Sequence, residues 1–357
     1  MQKEKNVFEK FTSFDNFYNA YLLARRNKRY KHEVLKYSAN LEENIINSIE
    51  HLKHKTYEIS RMHEFYVQYP KKRLITALPF KDRVVNCAAH NILFPIYSRS
   101  FYEHSYGSIP GKGTHRAVKR LQYWLRLVGD KPEDWRIAKV DIRKFFFRIP
   151  VSVQLRELGK PLDDPDMMWF LEKAIIGDGR AFGLPLDAAD VEEAERVSGI
   201  GMQVGSLISQ MTANVVLSPL DHYMKRVVRV PYYIRYMDDM IMLLPNKELA
   251  WEAIGLMDDY LNNNLGLELN EKTAVLPLDY GVEFLGYKVW ADRITLRKST
   301  SLRMKRHIKY IMEGYAAGKL DQDHCLSVLH SYLGLLKHCD AGALKRKILR
   351  DFVLMRR

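Results

Sequence analysis

Cysteine is scarce in this sequence, and long apolar segments are missing from it. The 357 residues include three cysteines, Cys87, Cys325 and Cys339, an odd number with a spacing unlike that of metal ligands. Neither a disulfide framework nor a cysteine-based zinc site is supported. No run of about 18 apolar residues occurs, and no secretory hydrophobic segment is found. We therefore predict a reduced, cytoplasmic protein with no membrane partner.

Acidic residues are outnumbered by basic ones, most of all near the C-terminus. The chain has 56 Lys and Arg against 43 Asp and Glu, a net charge of +13 and a pI near 9.4. From residue 291 to the end, 15 Lys and Arg stand against 6 Asp and Glu. This asymmetry favours nucleic acid over a membrane surface as the polyanionic partner. No low-complexity linker or internal repeat occurs, so we expect two or three subdomains that pack as one unit.

The most informative stretch is residues 232–244, YYIRYMDDMIMLL, which Pro231 and Pro245 enclose. Its pattern predicts a β-hairpin with Asp238 and Asp239 at or near the turn. Two adjacent carboxylates in an apolar run repel one another, and a bound Mg²⁺ would relieve that repulsion because it prefers hard oxygen ligands. An ordinary Asp-rich turn is the alternative interpretation.

A third carboxylate follows another apolar strand. Residues 135–149 read WRIAKVDIRKFFFRI, in which residues 137–140 form a short buried strand and Asp141 stands at its end. A carboxylate in this position is a candidate metal ligand. The alternative is that Asp141 caps the N-terminus of a helix, since Asp is favoured there.

Two basic segments are candidates for phosphate binding. Residues 64–79 predict two strands joined by a turn that contains Lys72 and Arg73, which either grip a triphosphate or are simply solvated. A glycine-punctuated loop, residues 105–114, leads into a basic helix at residues 115–127. It lacks the spacing of a Walker A loop, but Lys112, His115 and Arg116 stand where a helix start meets phosphate.

Most of the remaining chain is predicted to be helical. We expect two helices within residues 1–60, the second opened by a capping box at Asn40, and further helices over residues 82–97, most of 151–200, 211–223, 251–261 and from 300 onwards. A glycine-rich turn is expected over residues 199–210 and a short strand pair over residues 282–287. The acidic segment 187–195 has no clear role.

The order of these features resembles the palm and thumb of reverse transcriptases over nearly the whole chain. The matching motifs are the strand that ends at Asp141, the glycine turn, the Tyr236-Met237-Asp238-Asp239 hairpin, Lys272, residues 284–287 (FLGY) and the basic tail. The resemblance implies an α+β right-hand polymerase. Its expected parts are an N-terminal helical extension (1–62), part of the fingers (63–135), an antiparallel palm sheet flanked by helices (136–290, with an insertion near 151–200) and a basic helical thumb (291–357).

The resemblance also implies roles for individual residues in RNA-directed DNA synthesis. Two Mg²⁺ ions, with Mn²⁺ as an alternative, would be bound by Asp141, Asp238, Asp239 and the backbone carbonyl of Ile142. Lys272 would protonate pyrophosphate. The incoming deoxynucleotide would contact Lys72, Arg73, Phe146, Val204, Gly205 and Gln210, with Phe146 excluding a 2′-hydroxyl or simply packing in the core with its neighbours. Template RNA and primer would contact Phe284, Leu285, Gly286, Tyr287, Arg303, Lys305, Arg306 and Lys309, besides the loop residues Lys112, His115 and Arg116.

One motif indicates a subtype. The family usually has Gln-Gly followed by Ser-Pro before the hairpin, whereas this chain has Val204-Gly205 and ends the motif with Ser209-Gln210. This departure resembles the reverse transcriptases of diversity-generating retroelements, as do PKKRLITALPFKDRVV, GKGTHRA and SYLGLLKH, although Ile109 departs from the usual polar residue. The resemblance implies errors at template adenines and a basic accessory protein. The alternatives are a phage-defence polymerase with protein-primed or untemplated synthesis, and an RNA-binding protein with a vestigial site.

Overall fold

The computed structural model describes residues 3–67, 73–185 and 195–356, and of Arg73 the backbone alone. Lys72 and residues 187–194 of the acidic segment therefore lie outside the described residues. The elements follow one another in this order: α1 (Val7–Phe11), α2 (Phe14–Ala24), α3 (His32–Ala39), α4 (Leu41–Lys53), β1 (His63–Val67), β2 (Arg73–Ala77), α5 (Phe80–Ser98), α6 (Thr114–Gly129), β3 (Arg136–Asp141), α7 (Phe145–Arg148), α8 (Val151–Gly159), α9 (Pro165–Ile176), α10 (Leu207–Arg226), β4 (Tyr232–Tyr236), β5 (Asp239–Leu244), α11 (Lys247–Tyr260), β6 (Ala274–Pro277), β7 (Val282–Phe284), β8 (Tyr287–Val289), β9 (Ile294–Leu296), α12 (Lys298–Ala316), α13 (Gln322–Leu336) and α14 (Gly342–Asp351).

The chain divides into two compact units. The first, unit 1, comprises Met1–Ser108, Asp141–Arg229 and Gly255–Glu271; the second, unit 2, comprises Ile109–Val140, Val230–Ile254 and Lys272–Arg357. This division does not test the predicted borders of fingers, palm and thumb, which stay predictions. Among the described helices, none is both long and apolar enough to cross a membrane.

Unit 1 is built mainly from helices around an aromatic core. Phe11, Phe17 and Phe170 are fully buried, and the ring centroids of Phe11 and Phe170 lie 4.7 Å apart. The N-terminal region is helical as predicted, but four helices form there instead of two. Helix α4 begins after Asn40 as expected, yet the Asn40 side chain makes no capping hydrogen bond, so the predicted capping box is wrong.

The same unit contains an antiparallel hairpin of β1 and β2. Its register pairs Glu64 with Thr76 and Val67 with Arg73, which confirms the predicted strand pair. Helix α10 begins at Leu207, four residues earlier than predicted, so Gln210 lies in a helix and not in the glycine-rich turn. The segment 151–200 is helical as far as Ile176, and its described residues beyond that point are largely irregular.

Unit 2 contains two sheets and the C-terminal helices. The strand order of the first sheet is β4-β5-β3-β6, with β4 antiparallel to β5 and β3 antiparallel to β6. The second sheet is an antiparallel meander of β7, β8 and β9. The mixture of helices with antiparallel sheets confirms the α+β class. The strands β6 and β9, of four and three residues, were not predicted from the sequence.

Candidate active site

The acidic hairpin forms as predicted. Strands β4 and β5 pair Tyr236 with Asp239, which leaves Met237 and Asp238 as a two-residue turn. Met237 has a φ of 54°, in the left-handed region that most side chains avoid. Both Asp238 and Asp239 are partly exposed. The turn therefore presents two adjacent carboxylates at the end of a strand pair whose other residues are largely buried.

A buried arginine supports this turn. The side chain of Arg235 is fully buried, and its Nη1 donates a hydrogen bond of 3.2 Å to the backbone carbonyl of Met237. Burying a guanidinium is costly unless it is hydrogen-bonded, so this contact ties the cation to the turn conformation. Our sequence interpretation did not single out Arg235. A charged residue inside an otherwise apolar strand was the signal that could have identified it.

Asp141 is the last residue of β3, and β3 lies beside β5, whose first residue is Asp239. Lys144, and not Asp141, occupies the N-cap position of α7, so the helix-cap alternative for Asp141 is wrong. The side-chain Nδ2 of Asn270 donates to Asp141 Oδ2 at 3.1 Å, and the backbone N–H of Asn270 donates to the Asp141 carbonyl at 2.7 Å. Asn270 thus orients the carboxylate, a role that the sequence did not reveal.

The donor set of the three aspartates fits a divalent metal. Carboxylate oxygens are the ligands that Mg²⁺ prefers. Ile142, the predicted carbonyl ligand, is buried and forms an isolated antiparallel bridge with Leu269. Over residues 3–67, 73–185 and 195–356, however, no group of three or more His, Cys, Asp or Glu side chains stands ready to hold an ion. The two-metal site therefore remains a prediction.

Phe146 and the glycine-rich stretch of residues 199–210, here called the glycine motif, are joined by a backbone hydrogen bond within unit 1. The Phe146 carbonyl accepts a hydrogen bond of 2.8 Å from the N–H of Met202, two residues before Val204. Phe145 is buried, and its ring centroid lies 5.3 Å from that of the half-buried Phe146. The core role thus falls mainly to Phe145, which leaves part of the Phe146 ring accessible.

Val204 and Gly205 contact the β1–β2 hairpin. The Val204 carbonyl accepts hydrogen bonds from Thr76, at 3.0 Å from its N–H and 3.2 Å from its Oγ1. Gly205 has a φ of 133°, and a Cβ atom there would stand 2.6 Å from the Thr76 carbonyl oxygen. Gly205 is therefore required for this close approach. Unit 1 in this way joins Phe146, the glycine motif and the strand that begins at Arg73.

Four other predicted site residues are located less fully by the structure. Lys72 lies outside the described residues, as does the side chain of Arg73. Lys272 is exposed in the turn that precedes β6, two residues after Asn270 in the chain. Gln210 is half-buried in the first turn of α10. The roles assigned to these four residues stay predictions.

The predicted primer-binding residues form a tight hairpin in unit 2. Phe284 pairs with Tyr287, and the turn residues Leu285 and Gly286 have φ values of 51° and 87°. Positive φ at both positions is the geometry of a type I′ turn. The Gly286 carbonyl accepts a hydrogen bond of 3.0 Å from the N–H of Arg297, the residue before α12. The hairpin is thus fixed to the base of the basic C-terminal helices.

Helix α12 is amphipathic. Met304, Ile308 and Ile311 are buried on one side. The cations predicted to follow the duplex lie away from this side, with Arg303 half-buried and the others exposed: Lys305, Arg306 and Lys309. Lys309 forms an exposed i,i+4 ion pair with Glu313 at 3.6 Å, which contributes little stability.

His115 lies at a junction of several elements of unit 2. Its ring stacks on that of His338 with centroids 3.5 Å apart, and its Nε2 lies 3.1 Å from the hydroxyl of Tyr287. Burial raises the pKa of Tyr287 to about 12, so this hydroxyl stays neutral. Of the other two loop residues, Arg116 is exposed and bonds the Gly111 carbonyl at 3.1 Å, and Lys112 is half-buried. His115 therefore has a structural role beside its predicted contact with nucleic acid.

This histidine pair predicts that acid destabilises the protein. Burial, and then repulsion from His338 and Lys119, lower the pKa of His115 below its ordinary value of 6.5. Below pH 6.5 the unfolded chain therefore binds the proton more readily than the folded one, so stability should fall as the pH drops towards the lowered value. Thermal unfolding between pH 8 and pH 5 should show a shallower loss for His115→Asn than for wild type. The exposed control His324→Asn should lose stability as steeply as wild type. The expectation would be contradicted if His115→Asn lost stability as steeply as wild type, or if His324→Asn lost it as gradually as is expected for His115→Asn.

Comparison with known families gives the decisive observation. Residues 67–289, well over half of the chain, match the family model described as "Reverse transcriptase (RNA-dependent DNA polymerase)". The chain belongs to the reverse transcriptase family. The matched region contains Asp141, the glycine motif, the acidic hairpin and the FLGY hairpin. The right-hand polymerase fold predicted from the sequence is thereby confirmed at the level of the family.

Individual relatives of this reverse transcriptase are distant. It is 23% identical over 246 residues to Protein YkfC of Escherichia coli strain K12, covering 60% of this chain and 62% of that protein. It is 21% identical over 341 residues to the putative COX1/OXI3 intron 2 protein of Saccharomyces cerevisiae strain S288c, covering 71% of this chain and 38% of that protein. The chain thus spans less than two thirds of either relative.

Among solved structures, similarity extends to telomerases. The apo telomerase of Candida tropicalis, truncated from its C-terminal domain, matches with a TM-score of 0.45 and 10% identity, covering 71% of this chain and 60% of that one. The telomerase of Candida albicans, in complex with a fragment of telomeric RNA, matches with a TM-score of 0.48 and 15% identity, covering 84% and 55%.

Proposed function

We propose that this reverse transcriptase family member is an RNA-directed DNA polymerase that extends a primer on a template RNA with deoxynucleotides. The observation that carries the proposal is the acidic turn of Asp238 and Asp239 at the start of β5, within the region that the reverse transcriptase family model matches. Within the family that the sequence match establishes, this is the arrangement from which nucleotidyl transfer is expected.

The chain's own residues supply the organisation for this reaction. Asn270 orients the carboxylate of Asp141, and Arg235 holds the turn that bears Asp238. Two Mg²⁺ ions bound to these carboxylates would supply activation of the primer 3′-hydroxyl and neutralisation of the departing pyrophosphate. Lys272 acts in this proposal as the general acid that protonates pyrophosphate. Lys72 and Arg73 bind the triphosphate oxygens.

Primer extension tests the proposal directly. Purified protein, Mg²⁺ and four deoxynucleotides should extend a DNA primer annealed to an RNA template. The same protein should bind the primed RNA with an affinity that decreases with salt, because Lys and Arg contacts to phosphates release counterions. Salt-sensitive binding without any extension would instead identify an RNA-binding protein with a vestigial site.

The partly accessible ring of Phe146 predicts sugar selectivity. We propose that the ring lies against the sugar of the incoming nucleotide, where a 2′-hydroxyl would clash with it. Phe146→Val should then raise the ratio of ribonucleotide to deoxynucleotide incorporation by at least about tenfold, since removing a steric block relaxes specificity. Single-nucleotide incorporation kinetics measure this ratio. Phe145→Val is the matched control, and it should destabilise the core without changing the ratio.

We further propose that the enzyme is of the diversity-generating retroelement type and copies adenines with frequent errors. Its support is the substituted glycine motif, in which Val204 and Gln210 replace the usual residues, together with the direct hydrogen bonds from that motif to β2. Sequencing of the cDNA tests the subtype, with substitutions expected mainly opposite template adenines. Errors spread evenly over the four bases would contradict it, and products independent of the template would favour a defence polymerase.

This subtype also implies a partner. We propose a basic accessory protein that acts with the template RNA and the enzyme. Because this chain already carries a net charge of +13, such a protein would associate through RNA or through apolar contacts and not through simple charge attraction. Co-purification before and after ribonuclease treatment distinguishes the two routes.

A further inference from the structure

A network of buried charges holds the β1–β2 hairpin. The carboxylate of Glu64, in β1, accepts two hydrogen bonds from Arg196, at 2.8 and 3.0 Å, and lies 3.3 Å from Nη1 of Arg180. Arg180 also bonds the carboxylate of Asp178, which in turn accepts the N–H of Met62 at 2.9 Å. The side chains of Arg196 and Asp178 are each only 4% exposed.

Strand β2 is also bound to the stretch of chain that contains Arg180 and Arg196. Glu64 pairs with Thr76 in the register of β1 and β2, and Thr76 donates two hydrogen bonds to the Val204 carbonyl. The Glu64–Thr76 pair is therefore bonded on one strand to Arg180 and Arg196 and on the other to Val204. Both attachments lead to residues 178–205, the segment that ends in the glycine motif.

The two strands of the hairpin differ in burial: β1 is mostly exposed, whereas residues 74–77 of β2 are buried or half-buried. Four of the five residues of β1 are exposed, among them Phe65, Tyr66 and Val67. A two-stranded hairpin is marginally stable on its own in water. The bonds through Glu64 and Thr76 therefore contribute to its orientation. The hydrogen bonds from Arg196 lower the pKa of Glu64, which indicates that its charged form is the one stabilised by these contacts.

We propose that Glu64 and Arg196 are positioning residues for the incoming deoxynucleotide, which act by holding the hairpin that bears Lys72 and Arg73 against the glycine motif. This inference rests on the proposed polymerase function. Under the proposed function the glycine motif contacts the nascent base pair, and Thr76 of β2 is hydrogen-bonded to that motif. The Glu64–Arg196 pair holds the described strands of the hairpin beside the glycine motif, so its loss weakens nucleotide binding more than it slows the chemical step.

The test compares Glu64→Gln with a matched control, Glu157→Gln. Glu157 in α8, whose side chain is 3% exposed against 17% for Glu64, also bridges two cations, Arg156 at 3.0 Å and Lys160, but it lies outside the hairpin network. Steady-state primer extension on RNA at varied deoxynucleotide concentration should give a KM about tenfold higher for Glu64→Gln, because removing one partner of a buried pair strands the other. The kcat should change by less than about twofold. Glu157→Gln should alter neither constant.

A variant of Arg196 and a hydrogen-exchange measurement test the inference even if Glu64→Gln folds poorly. Arg196→Lys, which retains the charge but loses the bidentate fork, should give an intermediate KM even if Glu64→Gln folds poorly. Hydrogen exchange of peptides from residues 63–77 in the free enzyme should be faster in Glu64→Gln than in Glu157→Gln. Equal KM values for the two Gln variants, or a fall in kcat at constant KM, would overturn the inference. If the wild type makes no DNA, the proposed function fails, and hydrogen exchange alone then decides whether Glu64 holds the hairpin.

Discussion

Replacing Asp238 by asparagine is expected to lower the rate of nucleotide incorporation by about a thousandfold or more. The substitution preserves the shape of the side chain in the Met237–Asp238 turn but removes the charge that a divalent ion requires. Metal ions contribute several kcal/mol of transition-state stabilisation, and each ~1.4 kcal/mol is a factor of ten in rate. Single-turnover primer extension over a range of Mg²⁺ concentrations measures the loss.

The control for this variant is a carboxylate of unit 2 away from the hairpin. Asp292 forms an exposed ion pair with Arg293, and Asp292→Asn should leave the rate within about twofold of wild type, since surface pairs contribute little. Asp238→Asn should also unfold at a temperature no lower than wild type, because it relieves the repulsion between adjacent carboxylates. Retention of more than a tenth of the wild-type rate would refute the assignment of Asp238 as a metal ligand.

Features that depend on neighbouring residues could be predicted from the sequence. The acidic hairpin follows from an apolar run interrupted by two aspartates and enclosed by two prolines, and it forms with the expected turn. The position of Asp141 is also set locally, because this residue directly follows the short strand predicted over residues 137–140. The FLGY hairpin likewise contains its own turn signal, since Gly286 readily adopts the positive φ that the turn requires.

Features that depend on distant residues could not be predicted in this way. Asn270 bonds Asp141 across 129 positions, and Arg196 bonds Glu64 across 132. Strand β6 exists because it pairs with β3, and its four residues carry too little periodicity to indicate a strand without that partner.

The early start of α10 was also missed, although its cause is local. Leu207 and Ile208 continue the apolar helical pattern directly after Ser206, within what was predicted to be a turn.

Supporting contacts, both distant and local, change how the site is understood. The sequence indicates which residues carry charge, whereas the structure shows which contacts hold these residues or their neighbours in place. Asn270 fixes one carboxylate, the Met237 carbonyl receives a buried arginine, and the Val204 carbonyl receives Thr76. Each contact joins a predicted functional residue, or its immediate neighbour, to a residue that was not singled out from the sequence. Substitutions at these supporting positions should therefore affect activity without touching a substrate.

Gly205→Ala is expected to destabilise the protein by about 2–4 kcal/mol and to raise the KM for deoxynucleotides. A Cβ at Gly205 would stand 2.6 Å from the Thr76 carbonyl oxygen, which belongs to strand backbone and cannot move aside cheaply, and the φ of 133° adds strain. Gly199→Ala is the matched control, because Gly199 also has a positive φ, 77°, but has open space around its Cβ position. Chemical denaturation should show a clearly larger loss for Gly205→Ala, and nucleotide titrations should show a raised KM in that variant alone. Equal losses of stability and equal KM values in the two variants would mean that backbone strain explains the effect. The close packing of the glycine motif on β2 would then have no bearing on nucleotide binding.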